Sequence, residues 1–111
     1  MSSQTRYVFA PAPPVSAAMR GSTERFPVQR IYCVGRNYED HAKEMGFTGR
    51  EAPFFFLKPA NALLAAAEGE TVRMPYPSLT QNLHHEVELV VAIGLGGTRI
   101  AAADAAHHIF G

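Results

Sequence analysis

The chain has 111 residues, of which 47% are apolar and 18% are charged, and this balance is typical of one globular domain. Its 10 basic and 10 acidic side chains cancel, which argues against a general nucleic-acid binder but not against a small anionic substrate. One cysteine excludes an internal disulfide, and no apolar run resembles a signal peptide or reaches the roughly 18 residues of a membrane span. We therefore expect a soluble cytoplasmic protein with neither nucleic acid nor a membrane among its partners.

The first 29 residues form a proline-rich N-terminal segment. They hold four of the eight prolines, and proline both removes a backbone N–H and restricts φ. The segment 1–29 is therefore expected to be extended or looped, with a short strand possible at Tyr7–Phe9. The residues that carry chemistry all lie in the second part of the chain, 30–111.

Two short strands are predicted next. Arg30–Val34 has the β-branched and aromatic content of a strand, which Gly35 ends. Pro53–Leu57, with three consecutive phenylalanines, reads as a buried strand that Lys58-Pro59 closes. We expect Cys33 and the three phenylalanines to lie in the core.

A short helix is predicted between these strands, over residues 38–45. Asn37 is a good N-cap, and Glu39 and Asp40 follow in the first turn, where the helix dipole favours acidic side chains. Gly46 is the expected end of the helix. A helix of this length is marginally stable by itself in water.

The remainder is predicted to be irregular apart from three elements. Residues 60–82 are irregular with a possible short strand at 71–74, Leu83–Ile93 is the longest strand candidate, and 101–109 reads as a helix. Irregular segments, rather than regular helices, separate the strands. This pattern indicates a mostly β architecture with short helices, of the α+β class, instead of a doubly wound parallel sheet.

The longest strand candidate carries two carboxylates on one face. In a strand His84, Glu86 and Glu88 share a side, and the Cα atoms of the two glutamates lie about 6.6 Å apart. Poorly solvated carboxylates repel each other unless a divalent cation lies between them, and their oxygens suit Mg²⁺, Mn²⁺ or Ca²⁺. The opposite face is predicted to lie in the core and consists of Val87, Leu89 and Val91. On spacing alone, a solvated edge strand is the commoner source of such alternation.

The short helix carries an imidazole beside a carboxylate. His41 and Glu44 are three residues apart and share a helix face, an arrangement that suits a general base activating water. Arg36 and Asn37 precede the helix, where an arginine fork can bind a substrate carboxylate. The alternative is an ordinary solvated helix, and without further context it is the commoner one.

Three segments, at 31–45, 53–59 and 82–94, resemble the fumarylacetoacetate hydrolase family in sequence, order and approximate spacing. The resemblance covers about residues 30–111. The stretches at 7–14 and 21–28 are further similar to bacterial members that hydrolyse fumarylpyruvate.

The resemblance implies a mixed β-roll, usually a homodimer, and a metal-dependent hydrolase. Glu86 and Glu88 would be two of three carboxylate ligands of Mg²⁺, Mn²⁺ or Ca²⁺. His41 and Glu44 would activate water on a lid-like helix, and Arg36, with Asn37 beside it, would hold the substrate. The reaction would cleave a carbon–carbon bond of an acylpyruvate such as fumarylpyruvate, giving pyruvate and a carboxylic acid.

The family's third carboxylate ligand follows the segment that ends at Gly111. Residues 30–111 are therefore expected to be the N-terminal part of a catalytic domain, truncated before that ligand and inactive alone. Two alternatives stay open. One is an oxaloacetate decarboxylase of the same family, and the other is a non-catalytic truncated remnant, or an interaction module that pairs with a complementary chain.

Overall fold

The structure is a computed structural model in which short strands predominate and helices are few and short, as the sequence predicts. The part of the chain that it describes consists of residues 3–35, 37–46, 48 and 50–111, with the backbone alone at positions 39, 41 and 42. The chain divides into two compact units, 1–74 and 75–111. The first unit contains the paired strands and the α-helix.

A small hairpin lies inside the proline-rich segment. Strand β1, Ser16–Ala18, pairs antiparallel with β2, Arg25–Pro27. The Arg25 guanidinium donates hydrogen bonds to the Ser16 hydroxyl at 2.7 Å and to the Ser16 carbonyl at 3.0 Å. The prediction of a possible strand at Tyr7–Phe9 is wrong, because those residues are irregular. They lead into a stretch with three prolines, which lack the N–H groups that a ladder needs.

The two strands predicted around the helix are confirmed. Strand β3, Arg30–Gly35, pairs antiparallel with β4, Phe54–Pro59, and Cys33 faces Phe56. Strand β4 runs through Lys58 and Pro59, which were expected to end it. Pro59 is its last residue, where a missing N–H costs no internal ladder bond.

Helix α1, Glu39–Glu44, lies in the connection between β3 and β4. It is shorter than the predicted 38–45, a difference within the fraying of helix ends. The N–H of Gly46 donates to the carbonyl of Lys43 at 3.0 Å, and Gly46 has φ +88°, a conformation that favours glycine. Gly46 thus ends the helical segment, as predicted.

The expectation that the phenylalanines of β4 lie in a core is wrong. Phe54, Phe55 and Phe56 are 44%, 67% and 45% exposed, and Cys33 is half-buried. A two-stranded sheet needs another layer to bury its faces. None of the described residues covers these rings fully.

The second unit differs most from its prediction. Although every residue of 83–93 is described, the segment forms no strand, and its only β-type pairing is a bridge between Ile93 and Ile109. A strand exists only with a neighbouring backbone to pair with, and the described residues provide one at the end of the segment alone. The strand suggested at 71–74 is also absent from this described stretch.

The last predicted helix is a 3₁₀ helix, Ala102–His108, and is preceded in the chain by another at Ala60–Ala62. Ala101 precedes it and has no side chain with which to cap it. The Ile109 N–H donates to Ala106 at 3.3 Å, the spacing of a 3₁₀ turn. Within the described residues, no helix is long and apolar enough to cross a bilayer.

Candidate metal and substrate site

Helix α1 carries the predicted imidazole and carboxylate. His41 and Glu44 both belong to it, three residues apart, which in a helix places them on one face. The Glu44 and Asn37 side chains are exposed, and Asn37 lies just before the helix. Arg36 and the side chain of His41 lie outside the described part of the chain. The structure therefore places His41 and Glu44 three positions apart in one helix.

The end of β3, from which the helix connection departs, depends on a glycine. Gly35 faces Phe54 across the sheet, and a Cβ built on Gly35 would overlap the Phe54 ring. The Phe54 and Phe56 ring centroids lie 6.0 Å apart in a stacked arrangement. Gly35 therefore lets the ring lie across the strand end. Gly35 was predicted only to end the strand, and its packing against Phe54 was not predicted.

The connection from α1 to β4 is held by one carboxylate. Glu51 Oε1 accepts hydrogen bonds from the Thr48 N–H and the Thr48 hydroxyl, both at 2.9 Å. The Thr48 hydroxyl also accepts the Arg50 N–H at 3.3 Å. Sequence reasoning missed this turn, although a threonine followed three residues later by a glutamate is a recognised local pattern of reciprocal side-chain to backbone bonding.

In the second unit, Tyr76 is hydrogen-bonded to the segment that precedes Glu86 and Glu88. Its hydroxyl accepts the Leu83 N–H at 3.2 Å. The Asn82 N–H donates to the Thr80 hydroxyl at 3.1 Å, and the Asn82 side-chain oxygen lies 2.8 Å from His84 Nε2. His84 is thus engaged by Asn82. Tyr76 was not singled out from the sequence.

Glu86 and Glu88 are exposed. The face predicted to be core is not buried: Val87 is 92% exposed and Leu89 is 84% exposed, and Val91 also remains exposed. The segment lacks a ladder along most of its length, and these three side chains are largely open to solvent. The prediction of a buried apolar face at these three positions is therefore wrong for this structure.

The donor chemistry of Glu86 and Glu88 fits a hard divalent cation, because carboxylate oxygens are its preferred ligands. Among the described residues, no group of three or more histidine, cysteine, aspartate or glutamate side chains is placed to hold a metal ion. The metal-ligand role predicted for Glu86 and Glu88 therefore stays a prediction.

The chain is similar to a protein family and to several known proteins. The model of a family described as "Fumarylacetoacetate (FAA) hydrolase C-terminal" matches residues 30–111. The mitochondrial oxaloacetate tautomerase FAHD1 of Mus musculus is 48% identical over 83 residues, which are 75% of this chain and 36% of the relative. The mitochondrial oxaloacetate decarboxylase of Dictyostelium discoideum is 41% identical over 83 residues, which are 75% of this chain and 37% of the relative.

A solved structure covers more of the chain. The fumarylpyruvate hydrolase from Pseudomonas aeruginosa, in complex with Mn²⁺ and pyruvate, superposes with a TM-score of 0.90 and 53% sequence identity. The match covers 95% of this chain and 46% of the other. The chain thus spans roughly a third of these two curated relatives and less than half of that structure.

Proposed function

Since this chain belongs to the fumarylacetoacetate hydrolase family, we propose that it forms part of an enzyme that uses a divalent cation to hydrolyse a carbon–carbon bond of an acylpyruvate. The proposed substrate is fumarylpyruvate, and the products are pyruvate and a carboxylic acid. Water supplies the hydroxyl that joins the acyl carbon. The bond from that carbon to the pyruvate methylene breaks, and the methylene takes a proton.

One observation carries the proposal: the likeness to a fumarylpyruvate hydrolase that binds Mn²⁺ and pyruvate. At 53% identity and a TM-score of 0.90 over 95% of the chain, this likeness extends through both units and beyond the family match, into the proline-rich segment. The bound pyruvate is the product that the proposed reaction would release.

Glu86 and Glu88 are the residues of this chain that would hold the cation. When bound, a cation such as Mn²⁺ or Mg²⁺ supplies Lewis-acid polarisation of a carbonyl and stabilises the negative charge that develops as the bond breaks. Neither glutamate needs to move a proton in this role. A third ligand is required, since two carboxylates alone leave a divalent ion largely to water.

Helix α1 supplies the proposed proton chemistry. His41 would accept a proton from the attacking water, and Glu44 would orient the imidazole and raise its basicity. Arg36 would bind the substrate carboxylate through two parallel N–H bonds, and Asn37 would contribute beside it at the start of the helix. These assignments follow the family resemblance and the shared helical position of His41 and Glu44.

The 111 residues alone are proposed to be inactive. The described residues complete no three-ligand cluster, and the sheet that carries the helix connection leaves its aromatic side chains exposed. A general base and a cation must be held within fractions of an ångström of their working geometry. The enzyme as a whole is proposed to be a homodimer.

A second candidate is an oxaloacetate decarboxylase, and it is favoured by the Dictyostelium discoideum relative. The relative from Mus musculus is named an oxaloacetate tautomerase. Fumarylpyruvate and oxaloacetate share a 2-oxo acid next to an acidic methylene, so one metal site suits each of these reactions. A third possibility, a remnant without catalysis, is consistent with the incomplete ligand set among the described residues.

The test is a chimaera in which this chain is followed by the part of the Pseudomonas aeruginosa enzyme that the match leaves uncovered. With Mn²⁺ we expect release of pyruvate from fumarylpyruvate, followed through lactate dehydrogenase and NADH. His41→Asn should lower kcat roughly 10²- to 10⁴-fold, the usual contribution of a general base. Asp40→Asn, on the neighbouring helix position, is the matched control and should leave kcat within about twofold.

Three outcomes separate the candidates. Pyruvate from oxaloacetate only, above the rate without enzyme, would establish the decarboxylase. Activity towards fumarylpyruvate that survives His41→Asn would contradict the assigned base. A folded chimaera that binds Mn²⁺ but turns over neither compound would support the remnant.

A further inference from the structure

Tyr76 lies between two prolines near the start of the second unit. The unit begins at Pro75, and Pro77 follows the tyrosine. Proline fixes its own φ and confines the residue before it to extended backbone, so few conformations are open to this stretch. The Tyr76 side chain is 58% exposed, so burial of its ring is not what distinguishes it. The contact that does so is made by its hydroxyl.

The Tyr76 hydroxyl closes a loop onto backbone seven residues later. It accepts the Leu83 N–H at 3.2 Å. The loop between them contains a turn at 78–79, and the Leu79 side chain is 100% exposed, so Leu79 adds no packing that could close the loop. A backbone N–H held by a side chain in this way cannot shift far without losing its hydrogen bond. Leu83 is therefore tied to the position of the Tyr76 ring.

Two further hydrogen bonds adjoin this contact on the side of the glutamates. The Asn82 N–H donates to the Thr80 hydroxyl at 3.1 Å, and the Asn82 side-chain oxygen lies 2.8 Å from His84 Nε2. Asn82, Leu83 and His84 are consecutive, so three neighbouring residues are each hydrogen-bonded through a side chain. The chain runs directly from them to Glu86.

The other end of the segment that carries the glutamates is held at Ala92. The Phe110 N–H donates to the Ala92 carbonyl at 2.8 Å. Between Leu83 and Ala92 the described backbone belongs to no strand, and Glu86 and Glu88 are exposed. Because no ladder runs along this segment, the contacts at its two ends limit where the two carboxylates can lie.

We propose that Tyr76 is a positioning residue for the cation site. By holding the Leu83 backbone, its hydroxyl fixes where the segment that carries Glu86 and Glu88 begins. This inference rests on the proposed function, which assigns the cation to those two glutamates. A binding site whose ligands are already held near their bound positions loses less conformational freedom when the cation binds, and its affinity is higher for that reason. Residues that orient ligands without touching the metal are known to influence affinity in this way.

A merely structural role for Tyr76 predicts a different result. If the hydrogen bond only closes the loop, its loss should change the dynamics of Leu83 and leave the affinity for a cation as it was. If Tyr76 positions the carboxylates, both quantities should change together. Exchange of the Leu83 amide and binding of Mn²⁺ are therefore measured on the same variants.

The experiment uses the full 111-residue chain, isotopically labelled for NMR, in its native form and as Tyr76→Phe. Phenylalanine keeps the ring but cannot accept the Leu83 N–H. The exchange rate at Leu83 and the Mn²⁺ dissociation constant, obtained from paramagnetic broadening of the Glu86 and Glu88 amides, should each rise roughly three- to tenfold, the equilibrium factor of one such hydrogen bond.

Tyr32→Phe is the matched control. Tyr32 is 59% exposed, and within the described residues its hydroxyl makes no hydrogen bond. This variant should change both quantities less than about twofold. Exchange at the Ala92 amide should stay unchanged in both variants, because the contact at that end of the segment is intact.

Three outcomes overturn the role of Tyr76 while the native chain still binds Mn²⁺. One is faster exchange at Leu83 with unchanged Mn²⁺ affinity, and another is equal weakening by the two tyrosine variants. The third is acceleration at Ala92 as large as that at Leu83, since Tyr76 would then support the unit as a whole. If Mn²⁺ broadens neither glutamate amide in the native chain, the cation site of the proposed function fails, and the role of Tyr76 fails with it.

Discussion

At the residue scale, a glycine whose neighbour is distant in sequence and a carboxylate whose partner is local shape the first unit. Gly35 lies under the Phe54 ring, and Glu51 accepts two hydrogen bonds from Thr48. Glu86 and Glu88 are two positions apart, a spacing that places both on one face only in a strand. The residue types were visible in the sequence, whereas the ring over Gly35 became visible only with the strand register.

Replacing Gly35 with alanine should destabilise the β3–β4 sheet. The added Cβ would overlap the Phe54 ring, and overpacking of this kind costs roughly 1–3 kcal/mol. Gly96→Ala is the control, since nothing lies within 4 Å of its Cβ position. Hydrogen exchange at the Cys33 amide reports the loss. Phe54→Leu combined with Gly35→Ala should recover part of it, and equal protection in both alanine variants would contradict the ring contact.

Removing the two glutamates should abolish what divalent-cation binding the chain has. We expect Mn²⁺ to bind with a roughly millimolar dissociation constant, because two carboxylates leave most of the coordination to water. Calorimetry of the Glu86→Ala, Glu88→Ala double variant should show no binding heat. The control is the Glu68→Ala, Glu70→Ala double variant, which removes a pair with the same spacing. Equal losses in both variants would mean general charge attraction rather than a site.

At the scale of elements, local signals predicted those structures whose stabilising partners are close in sequence. Strands β3 and β4 form as predicted, and α1 ends at the glycine expected to end it. The hairpin β1–β2 was missed because proline content dominated the interpretation of the segment. The prediction of a strand at 83–93 was wrong because a strand requires a second backbone to pair with, which composition cannot reveal.

Gly46→Ala should fray the end of α1. The residue has φ +88°, and a β-carbon there costs about 1 kcal/mol. Amide exchange at position 46, whose N–H donates to Lys43, should accelerate. The exchange rate at position 46 in Gly46→Asn should lie between the rates of the native chain and of Gly46→Ala, because asparagine tolerates this conformation better than alanine does. If alanine and asparagine behave alike, the strained φ is not what matters at this position.

At the scale of the whole molecule, the main feature is apolar surface without a cover. The described residues include no fully buried side chain, although 47% of the chain is apolar. The expected stability of a domain comes mainly from burying such surface. Within the described residues, much of the apolar surface therefore remains exposed.

The isolated chain should unfold with little cooperativity. We expect a urea transition with an m value below the roughly 1–3 kcal/mol/M of small globular proteins, because little surface is buried to begin with. It should also bind a dye that reports exposed apolar surface, such as ANS. A steep transition for the chain alone would contradict this description.

The sequence by itself determined the family, the strands around the helix and the helix with its terminating glycine, while the site residues that it suggests stay predictions. These follow from motifs and capping signals that act over a few residues, and from the order of the three segments along the chain. Only the tertiary structure decided how exposed the phenylalanines and valines are. It also decided that Ala92 pairs with Phe110 and Gly111 and that most of 83–93 forms no strand. The physical reason is that burial and strand pairing depend on a second surface, which the residue's own sequence neighbourhood cannot supply.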